Sequence, residues 1–535
     1  MKYLTRLFAR DVGALVTLCA IALLVRLAFF SGYQGQDDRI YIFYAEHFAA
    51  TGHPPEVNSN WIGRIGGWVP VAASIRLTGT SDLSMATWSL LCSLGLVVVV
   101  YLIGKMLLDR PTALLAALFA ACFPLETIYA STAYVDVPVG FFQTLALYLF
   151  LRQYHIAPGY RYALLAGVAL GCGYLCRETA VFSLAPFGLI ALSRGNLLKR
   201  IGIFCAGFGV VIAVELAFWS LETGDALYRV HAIQARASHL HATLSDDNDP
   251  KVRVSLIPGP RPTERYRAKN TFTDAALMFM VNEEFVLYYF VVFPALVLLT
   301  LNRDAPTRDL RIYFGVLLVL CLFFPLQYFK FTVPRDPRYY VCLTGPAVLC
   351  LARWMQSLNS GWLRRSAIAG LILSGFAGLA ITSQSRENGA KRLLSEFQKQ
   401  HAAETLWCSP DHAAMLAYYS GFADRPNVNI HFLSGGAQSN RFQNYQLYRP
   451  DVVTAERPEQ IDHGYVALSS TAHVTIPVSW HEVARLNSPL SSITNGTICA
   501  FRLIGLPPSW KQRLLPGNGE AITVYHMDKP REPVP

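Results

Sequence analysis

Two adjacent carboxylates, Asp37 and Asp38, follow shortly after the first long apolar run of the chain. Charged groups are costly at the edge of hydrocarbon and do not pack a core, so the pair is a candidate for catalysis. Residues 40–46 interleave apolar and polar side chains, a pattern typical of a short helix at a membrane interface. The alternative is that both carboxylates merely stabilise the first turn of that helix. The stretch alone favours neither interpretation.

Other charged residues interrupt apolar stretches at three later places. They are Asp136, the pair Arg177-Glu178, and the group Lys330, Arg335 and Arg338. The first two have a simple structural explanation, because Asp136 before Val137-Pro138 suits a helix cap and Glu178 could neutralise Arg177. Reaching lipid headgroups would explain one cation of the last group, less easily all three. The functional alternative is phosphate binding, because guanidinium donors match phosphate oxygens in a bidentate way.

The composition is that of a membrane protein, with 53% hydrophobic and 15% charged residues. It does not indicate a nucleic-acid partner. The apolar run 12–30 follows three basic residues and lacks a cleavage site, which favours a retained first span over a signal peptide. Further runs long enough to cross lie at about 84–104, 112–130, 137–151, 162–176, 179–193, 201–220, 283–301, 311–329, 339–353 and 366–383. We therefore predict an all-α polytopic membrane bundle of about eleven transmembrane helices.

The positions of basic residues predict which side of the membrane each connection faces. With a cytoplasmic N-terminus, every short even-numbered connection is basic, as cytoplasmic connections should be. An odd number of spans then places the C-terminal part outside. Asp37, Asp136, Arg177 and Arg338 consequently share the outer face.

The chain is predicted to have two domains. Residues 1–383 form the transmembrane domain, with outer loops at 31–81 and 221–282. The first loop contains a second predicted interfacial helix at about 61–77, which includes Arg64. Residues 384–535 form a small α/β domain outside the membrane, with helices expected at 391–403 and 412–419 and strands expected at 428–432, 465–468, 473–476 and 498–503. Within it, Cys408 and Cys499 could form a disulfide, whereas the nine other cysteines lie in apolar segments and are expected to be buried.

This inventory of carboxylates and cations suits the transfer of a group from a lipid phosphate to a hydroxyl. A carboxylate accepts the hydroxyl proton as general base. Cations stabilise the charge that develops on the departing phosphate. The lipid tail would lie along the spans.

Asp37-Asp38-x-x-Tyr41-x-x-x-Ala45 resembles the Asp-Glu-x-x-Tyr-x-x-x-Ala motif in the first outer loop of the protein-mannosyltransferase and aminoarabinose-transferase group. Further similar stretches lie at 129–138, 167–179, 223–229 and 338–346, in the same order over roughly residues 10–383. The resemblance implies a C-type membrane glycosyltransferase that uses polyprenyl-phosphate sugars and inverts the configuration of the sugar. It implies Asp37 as the base, Asp38 in place of the commoner Glu, and a donor site lined by Asp136, Arg177 and Arg338. Some C-type relatives use a divalent cation, and no ligand cluster in this sequence requires one.

From the residues and the resemblance together, we predict sugar transfer to a hydroxyl of a glycan, lipid or protein, at the outer face of what we take to be a bacterial inner membrane. Asp37 and Asp38 are the predicted catalytic residues. The predicted substrate-binding residues are Tyr41, Arg64, Asp136, Arg177, Glu178, Lys330, Arg335 and Arg338. One alternative is a transporter or flippase for lipid-linked sugars, since Arg26, Glu126 and Glu215 lie inside proposed spans. Another is a membrane-anchored sensor or assembly factor that works through its C-terminal part.

Overall fold

Helices make up most of the part of the chain that the structure describes. The computed structural model describes residues 2–33, 37–55, 61–156, 159–194, 197–234, 285–328, 337–385, 388–401, 403–408, 416, 430–433, 454–455, 461, 463–469, 479–486 and 522–527. The chain divides into two compact units. The first is Met1–Gly32, Ile40–Ala235 and Asn270–Ala380, and the second is Tyr33–Arg39, Arg236–Lys269 and Ile381–Pro535.

Fourteen described α-helices precede residue 386. They are α1 (Lys2–Ala28), α2 (Asp37–Thr51), α3 (Ile65–Thr78), α4 (Asp82–Leu107), α5 (Arg110–Cys122), α6 (Pro124–Ala130), α7 (Asp136–His155), α8 (Tyr160–Cys176), α9 (Leu184–Arg194), α10 (Leu197–Thr223), α11 (Val286–Leu301), α12 (Arg308–Tyr328), α13 (Thr344–Gln356) and α14 (Gly361–Ser385). Two 3-10 helices, Glu178–Ser183 and Pro337–Leu343, lead into α9 and α13.

Each apolar run predicted from the sequence coincides with a helix or with two consecutive helical segments. Among the described residues, four helices are long and apolar enough to cross a membrane, or up to six if each bent pair of helices is one span. The helical architecture is therefore confirmed, and the number of eleven crossings stays a prediction. The semi-apolar stretch 61–77 is the 14-residue helix α3, as expected of a segment too short to span.

The bend between α5 and α6 has a local chemical cause. Pro124 begins α6 and has no backbone N–H, so the carbonyl of Ala120 loses its helical donor, and the two helices meet at 52°. Arg26 of α1 occupies this break: its Nη1 donates to the carbonyl of Ala121 at 2.9 Å and its Nη2 to that of Ala120 at 3.5 Å. Its Nε donates to Ser93 Oγ at 2.8 Å. A fully buried guanidinium thus stabilises a broken helix.

The backbones of α8 and α10 pack closely against each other at two glycines. A Cβ on Gly167 would collide with the backbone carbonyl of Phe204, and one on Gly207 with that of Leu164. Small residues at such crossings let two backbones approach, which is a frequent way of packing helices in membranes. Substituting either glycine would push the two helices apart.

The described residues of the second unit include one further helix and a six-stranded sheet. The helix is α15 (Asn388–Gln400), and the strands are β1 (Leu406–Cys408), β2 (Ile430–Leu433), β3 (Thr454–Ala455), β4 (Gly464–Ser469), β5 (Trp480–Leu486) and β6 (Ile522–Met527). Their order is β3-β2-β1-β4-β6-β5, parallel from β3 to β4 and antiparallel from β4 to β5. Trp407, Val466 and Trp480 pack together with Ile461.

The sequence predicted some of these elements. The helix predicted at 391–403 corresponds to α15, and the strands predicted at 428–432 and 465–468 correspond to β2 and β4. The predicted strands at 473–476 and 498–503 lie outside the described residues, as does almost all of the predicted helix at 412–419. Cys408 is buried in β1, and Cys499 lies outside the described residues, so their disulfide stays a prediction.

Candidate active site

Arg177 and Asp136 form a buried ion pair. Arg177 follows the last residue of α8 in an extended conformation, so its side chain leaves the helix and its Nη1 donates to Asp136 Oδ1. Asp136 lies in the first turn of α7, and the cap position is occupied by Val135 without a side-chain hydrogen bond. The expected pairing of Arg177 with its neighbour Glu178 is replaced by this longer-range pair. Arg177 is 8% exposed and Asp136 is 4% exposed.

One aromatic ring supports Arg177 from the side. The guanidinium carbon of Arg177 lies 4.2 Å from the ring centroid of Tyr339, which belongs to the 3-10 helix before α13. Arg338 also lies near this ring, at 5.5 Å, and lies 5.2 Å from the ring of Tyr134. These distances are within the range of cation–π attraction. Tyr339 therefore brings two cations to one place.

Glu178 holds two further arginines. Its carboxylate accepts from Arg64 Nε at 3.3 Å and from Arg64 Nη2 at 3.1 Å, and it lies 3.1 Å from Arg229 Nη2. Burial alone would raise the pKa of Glu178, but Arg64 and Arg229 outweigh it and lower the pKa to about 2. Arg64 Nη1 also donates to the Tyr41 hydroxyl of α2 at 2.5 Å. Glu178 is thus a shared counter-ion rather than the partner of Arg177.

Arg229 and Glu215 were not among the predicted site residues. Arg229 Nη1 donates to Glu215 Oε1 at 2.8 Å, and its Nη2 donates to the carbonyl of Tyr174 at 2.8 Å. The guanidinium carbon also lies 4.2 Å from the Tyr174 ring. The available signal was Arg229 at the end of the 223–229 stretch that resembles the family. Glu215, charged within an apolar run, was the second signal.

Two glycines explain why Arg64 meets residues so far along the chain. A Cβ on Gly66 would come within 2.9 Å of the backbone at Leu175 and Cys176, so the start of α3 lies directly against the end of α8. A Cβ on Gly63 would come within 2.6 Å of the side chain of Arg229. Glycine at both positions permits this approach. Arg64, between them, is thereby placed beside Glu178.

We call the group Arg64, Arg177, Arg229, Arg338, Asp136, Glu178 and Glu215 the arginine cluster. It contains four guanidinium groups and three carboxylates, so it carries a surplus of positive charge. The Nε atoms of Arg177 and Arg229 are buried and have no hydrogen-bond partner among the described residues. Buried donors are nearly always satisfied in proteins, so such atoms suit a site that receives an anion.

The structure brings together Tyr41, Arg64, Asp136, Arg177, Glu178 and, through Tyr339, Arg338. Asp37 and Asp38 are the first two residues of α2, as the first-turn interpretation expects; Asp38 is buried and Asp37 is half-buried. Both belong to the second unit, and their catalytic role stays a prediction. Lys330 and Arg335 lie outside the described residues.

A divalent cation has no evident ligand set in the described part of the chain. No three His, Cys, Asp or Glu side chains there lie close enough together to hold a metal ion. The carboxylates of the arginine cluster are instead engaged by guanidinium groups.

A family model matches part of the transmembrane domain. Residues 65–219 match the model described as dolichyl-phosphate-mannose-protein mannosyltransferase. This segment begins with α3, ends within α10, and includes Asp136, Arg177, Glu178 and Glu215. The resemblance to the protein-mannosyltransferase and aminoarabinose-transferase group that the sequence predicted is confirmed. Among curated protein sequences, none matches the chain.

Solved structures with a similar fold include two states of one protein and an oligosaccharyltransferase. ArnT from Cupriavidus metallidurans bound to undecaprenyl phosphate is 12% identical, with a TM-score of 0.55 over 88% of this chain and 96% of that chain. The same protein in the apo state is 13% identical, with a TM-score of 0.54 over 86% and 94%. The apo oligosaccharyltransferase of Archaeoglobus fulgidus gives 13% identity and a TM-score of 0.47 over 86% and 69%. The chain thus has the fold of ArnT, the C-type fold expected from the sequence.

Proposed function

We propose that the protein transfers a sugar from a polyprenyl-phosphate donor to a hydroxyl of a glycan, lipid or protein acceptor. The observation that carries this proposal is the buried Arg177–Asp136 pair, stacked on Tyr339 beside Arg338. The family model is named for a dolichyl-phosphate sugar donor, and the ArnT structure contains undecaprenyl phosphate. Both support a lipid phosphate as the ligand of these arginines. We place the reaction at the outer face of a bacterial inner membrane, with the N-terminus in the cytoplasm.

The arginines act on the leaving group. As the bond between the sugar and the phosphate breaks, negative charge grows on the phosphate oxygens. Arg177 and Arg338 are already oriented by Asp136 and by the Tyr339 ring, so they stabilise that charge without rearranging. The burial of Arg177 strengthens the attraction, because little water screens it. Arg64, anchored by Glu178, adds a third cation to the same surface.

The base is Asp37. It accepts the proton of the acceptor hydroxyl while that oxygen forms a bond to the anomeric carbon and the bond to the phosphate breaks. A single displacement of this kind inverts the configuration at that carbon. Asp37 begins α2, and one helical turn later Tyr41 receives the hydrogen bond from Arg64. The resemblance of Asp37-Asp38-x-x-Tyr41-x-x-x-Ala45 to the first-outer-loop motif of the family supports this assignment. Asp38, buried beside it, completes the acidic pair.

Sugar transfer in isolated membranes tests the base assignment. With labelled polyprenyl-phosphate sugars and endogenous acceptors, Asp37→Asn is expected to reduce product formation by about 10²–10⁴-fold, the usual contribution of a general base. Asp82→Asn, in the first turn of α4, is the matched control and should retain activity. Normal transfer by Asp37→Asn at wild-type protein levels would exclude Asp37 as the base. Retained donor binding by the same variant would show that only the chemical step is lost.

The transporter alternative makes a different prediction in the same membranes. A flippase would move the labelled lipid between leaflets without forming a covalent product. Arg26, one of the residues that suggested transport, instead satisfies carbonyl groups at the break between α5 and α6. Lipid movement without product, unaffected by Arg177→Met, would favour the transporter.

A further inference from the structure

Two cysteines from different helices touch beside the arginine cluster. Cys321 belongs to α12 and Cys342 to the 3-10 helix before α13, and their sulfur atoms lie 3.8 Å apart. Both side chains are half-buried. The sulfur of Cys342 also lies 3.6 Å from the carbonyl oxygen of Tyr339, the residue whose ring supports Arg177. From the sequence both cysteines were expected only to fill apolar space.

We propose that Cys321 and Cys342 form a dithiol site that is oxidised to a disulfide. The sulfur atoms must approach by a little under 2 Å to reach the bond length of about 2.05 Å, a shift that small side-chain rotations can supply. In the proposed orientation Cys321 lies two helical turns before the outer end of α12, and Cys342 lies in the 3-10 helix that begins at the outer face. The site is therefore reached from the outer side of the membrane, where disulfides form and persist. This modification is independent of which reaction the arginine cluster serves.

The chemical step is exchange with a disulfide-bearing oxidant, either a small disulfide or an oxidised dithiol protein. The thiolate of one cysteine attacks the oxidant and forms a mixed disulfide, releasing one thiolate. The second cysteine then displaces the remaining half of the oxidant. Two cysteine thiols are oxidised to one disulfide, the oxidant is reduced to two thiols, and the two cysteine protons pass to the two leaving thiolates.

The bond would tie α12 to the segment that carries Arg338 and Tyr339. Cys342 lies three residues after Tyr339 within one 3-10 helix, so a cross-link at Cys342 limits the movement of that ring. It also closes a loop across residues 321–342, which restricts the unfolded chain. Oxidation is therefore expected to raise the unfolding temperature by about 5 °C relative to the reduced protein.

Mass spectrometry of the full-length protein tests the site. Membranes are treated with oxidised glutathione or with dithiothreitol and then denatured in detergent. Free thiols are labelled with one alkylating reagent, and thiols released by later reduction are labelled with a second. After oxidation, Cys321 and Cys342 should carry the second label and appear as a cross-linked peptide pair. After dithiothreitol both should carry the first label. Cys205, exposed on α10, should carry the first label after dithiothreitol and should not appear cross-linked to either cysteine.

Two variants complete the experiment. Cys321→Ser should abolish the cross-linked pair and also the difference in unfolding temperature between oxidised and reduced protein. Cys205→Ser, the matched control, should leave both unchanged. Oxidised wild-type protein in which Cys321 and Cys342 both carry the first label, or in which either pairs with another cysteine, would overturn the proposal. This labelling pattern is read on the wild-type protein, so it decides even if a variant fails to fold.

Discussion

The two ends of α7 hold ion pairs of different kinds. Asp136 begins α7 within the arginine cluster, and His155 ends it, about 30 Å away, beside Asp309. At the latter end three aspartates each bind cations: Asp309 binds Arg194 at 2.7 Å, Asp304 binds Arg353 at 2.8 Å, and Asp11 binds Arg110 at 2.7 Å and also Lys105. We call these the aspartate pairs.

The difference lies in which partner is enclosed. In the aspartate pairs the cations reach solvent: the side chain of Lys105 is 50% exposed and that of Arg194 is 33% exposed. In the arginine cluster three of the four cations are enclosed, with the side chains of Arg64, Arg177 and Arg229 exposed by 11%, 10% and 3%, and Arg338 is half-buried. Exposed pairs contribute little to stability because water screens them, whereas removing one partner of a buried pair is costly.

This contrast separates two uses of the same residue types. The aspartate pairs join chain segments, since they link α1 to α4 and α5, α9 to α12, and the turn before α12 to α13. The arginine cluster holds several guanidinium groups away from water. It also contains more cations than carboxylates. A site of that kind attracts an anion strongly, because the cost of removing the cations from water has been met during folding.

The largest effect is expected at Arg177. Arg177→Met leaves the Asp136 carboxylate buried without its cation, which should destabilise the protein by about 3–5 kcal/mol. Loss of a charge-stabilising donor should also lower sugar transfer by about 10²–10³-fold. Thermal unfolding in detergent and the membrane transfer assay measure the two effects separately.

The double variant Arg177→Met/Asp136→Leu sharpens this prediction. Replacing both partners by apolar side chains of similar size removes the unpaired charge, so most of the stability should return. Transfer should stay low, because the cation is still missing. Recovery of transfer along with stability would mean that the pair only holds the fold, as the aspartate pairs do.

Three of the four cations of the arginine cluster could be predicted from the sequence, whereas the partner that each one binds could not. Arg177 and Glu178 are adjacent and suggested a pair, but the extended conformation at Arg177 directs the two side chains to different partners. The helices could be predicted because each apolar run is long and carries few charges. The contacts between helices depend on glycines such as Gly66 and Gly167, whose role appears only when the facing backbone is known.

Arg229 is a residue of the arginine cluster whose burial could not be predicted from the sequence. The sequence placed it in a basic outer loop, where a charge is expected to be hydrated. The structure instead buries it between Glu178, Glu215 and the ring of Tyr174. No local sequence pattern predicts these contacts, because the partners of Arg229 lie 14 to 55 residues away along the chain.

A smaller effect, with a distinct pH dependence, is expected for Glu178. Its pKa falls from 4.5 to about 2 in the folded protein, because Arg64 and Arg229 outweigh the effect of burial. A lowered carboxyl pKa stabilises the fold above the unfolded value, and this stabilisation disappears as the pH falls from about 4.5 to about 2. Glu178→Gln should therefore be about 3 kcal/mol less stable than wild type near neutral pH, and the gap should close in acid.

Denaturant unfolding at a series of pH values measures that gap. Glu222→Gln is the matched control, since Glu222 pairs with a well-exposed histidine, His53, and should change stability by less than about 1 kcal/mol. A gap for Glu178→Gln that stays constant down to about pH 3 would show that the Glu178 charge is not what holds Arg64 and Arg229.

The smallest effect is expected at Lys105. Lys105→Met removes a half-exposed cation from Asp11, and Arg110 remains bound to the same carboxylate at 2.7 Å. Stability should change by less than about 1 kcal/mol, and sugar transfer should be unaffected, because the site lies at the other end of the helices. If Lys105→Met destabilised the protein as much as Arg177→Met, burial would not be what distinguishes the two ends. A surplus of buried cations would then no longer identify the arginine cluster as the anion-binding site.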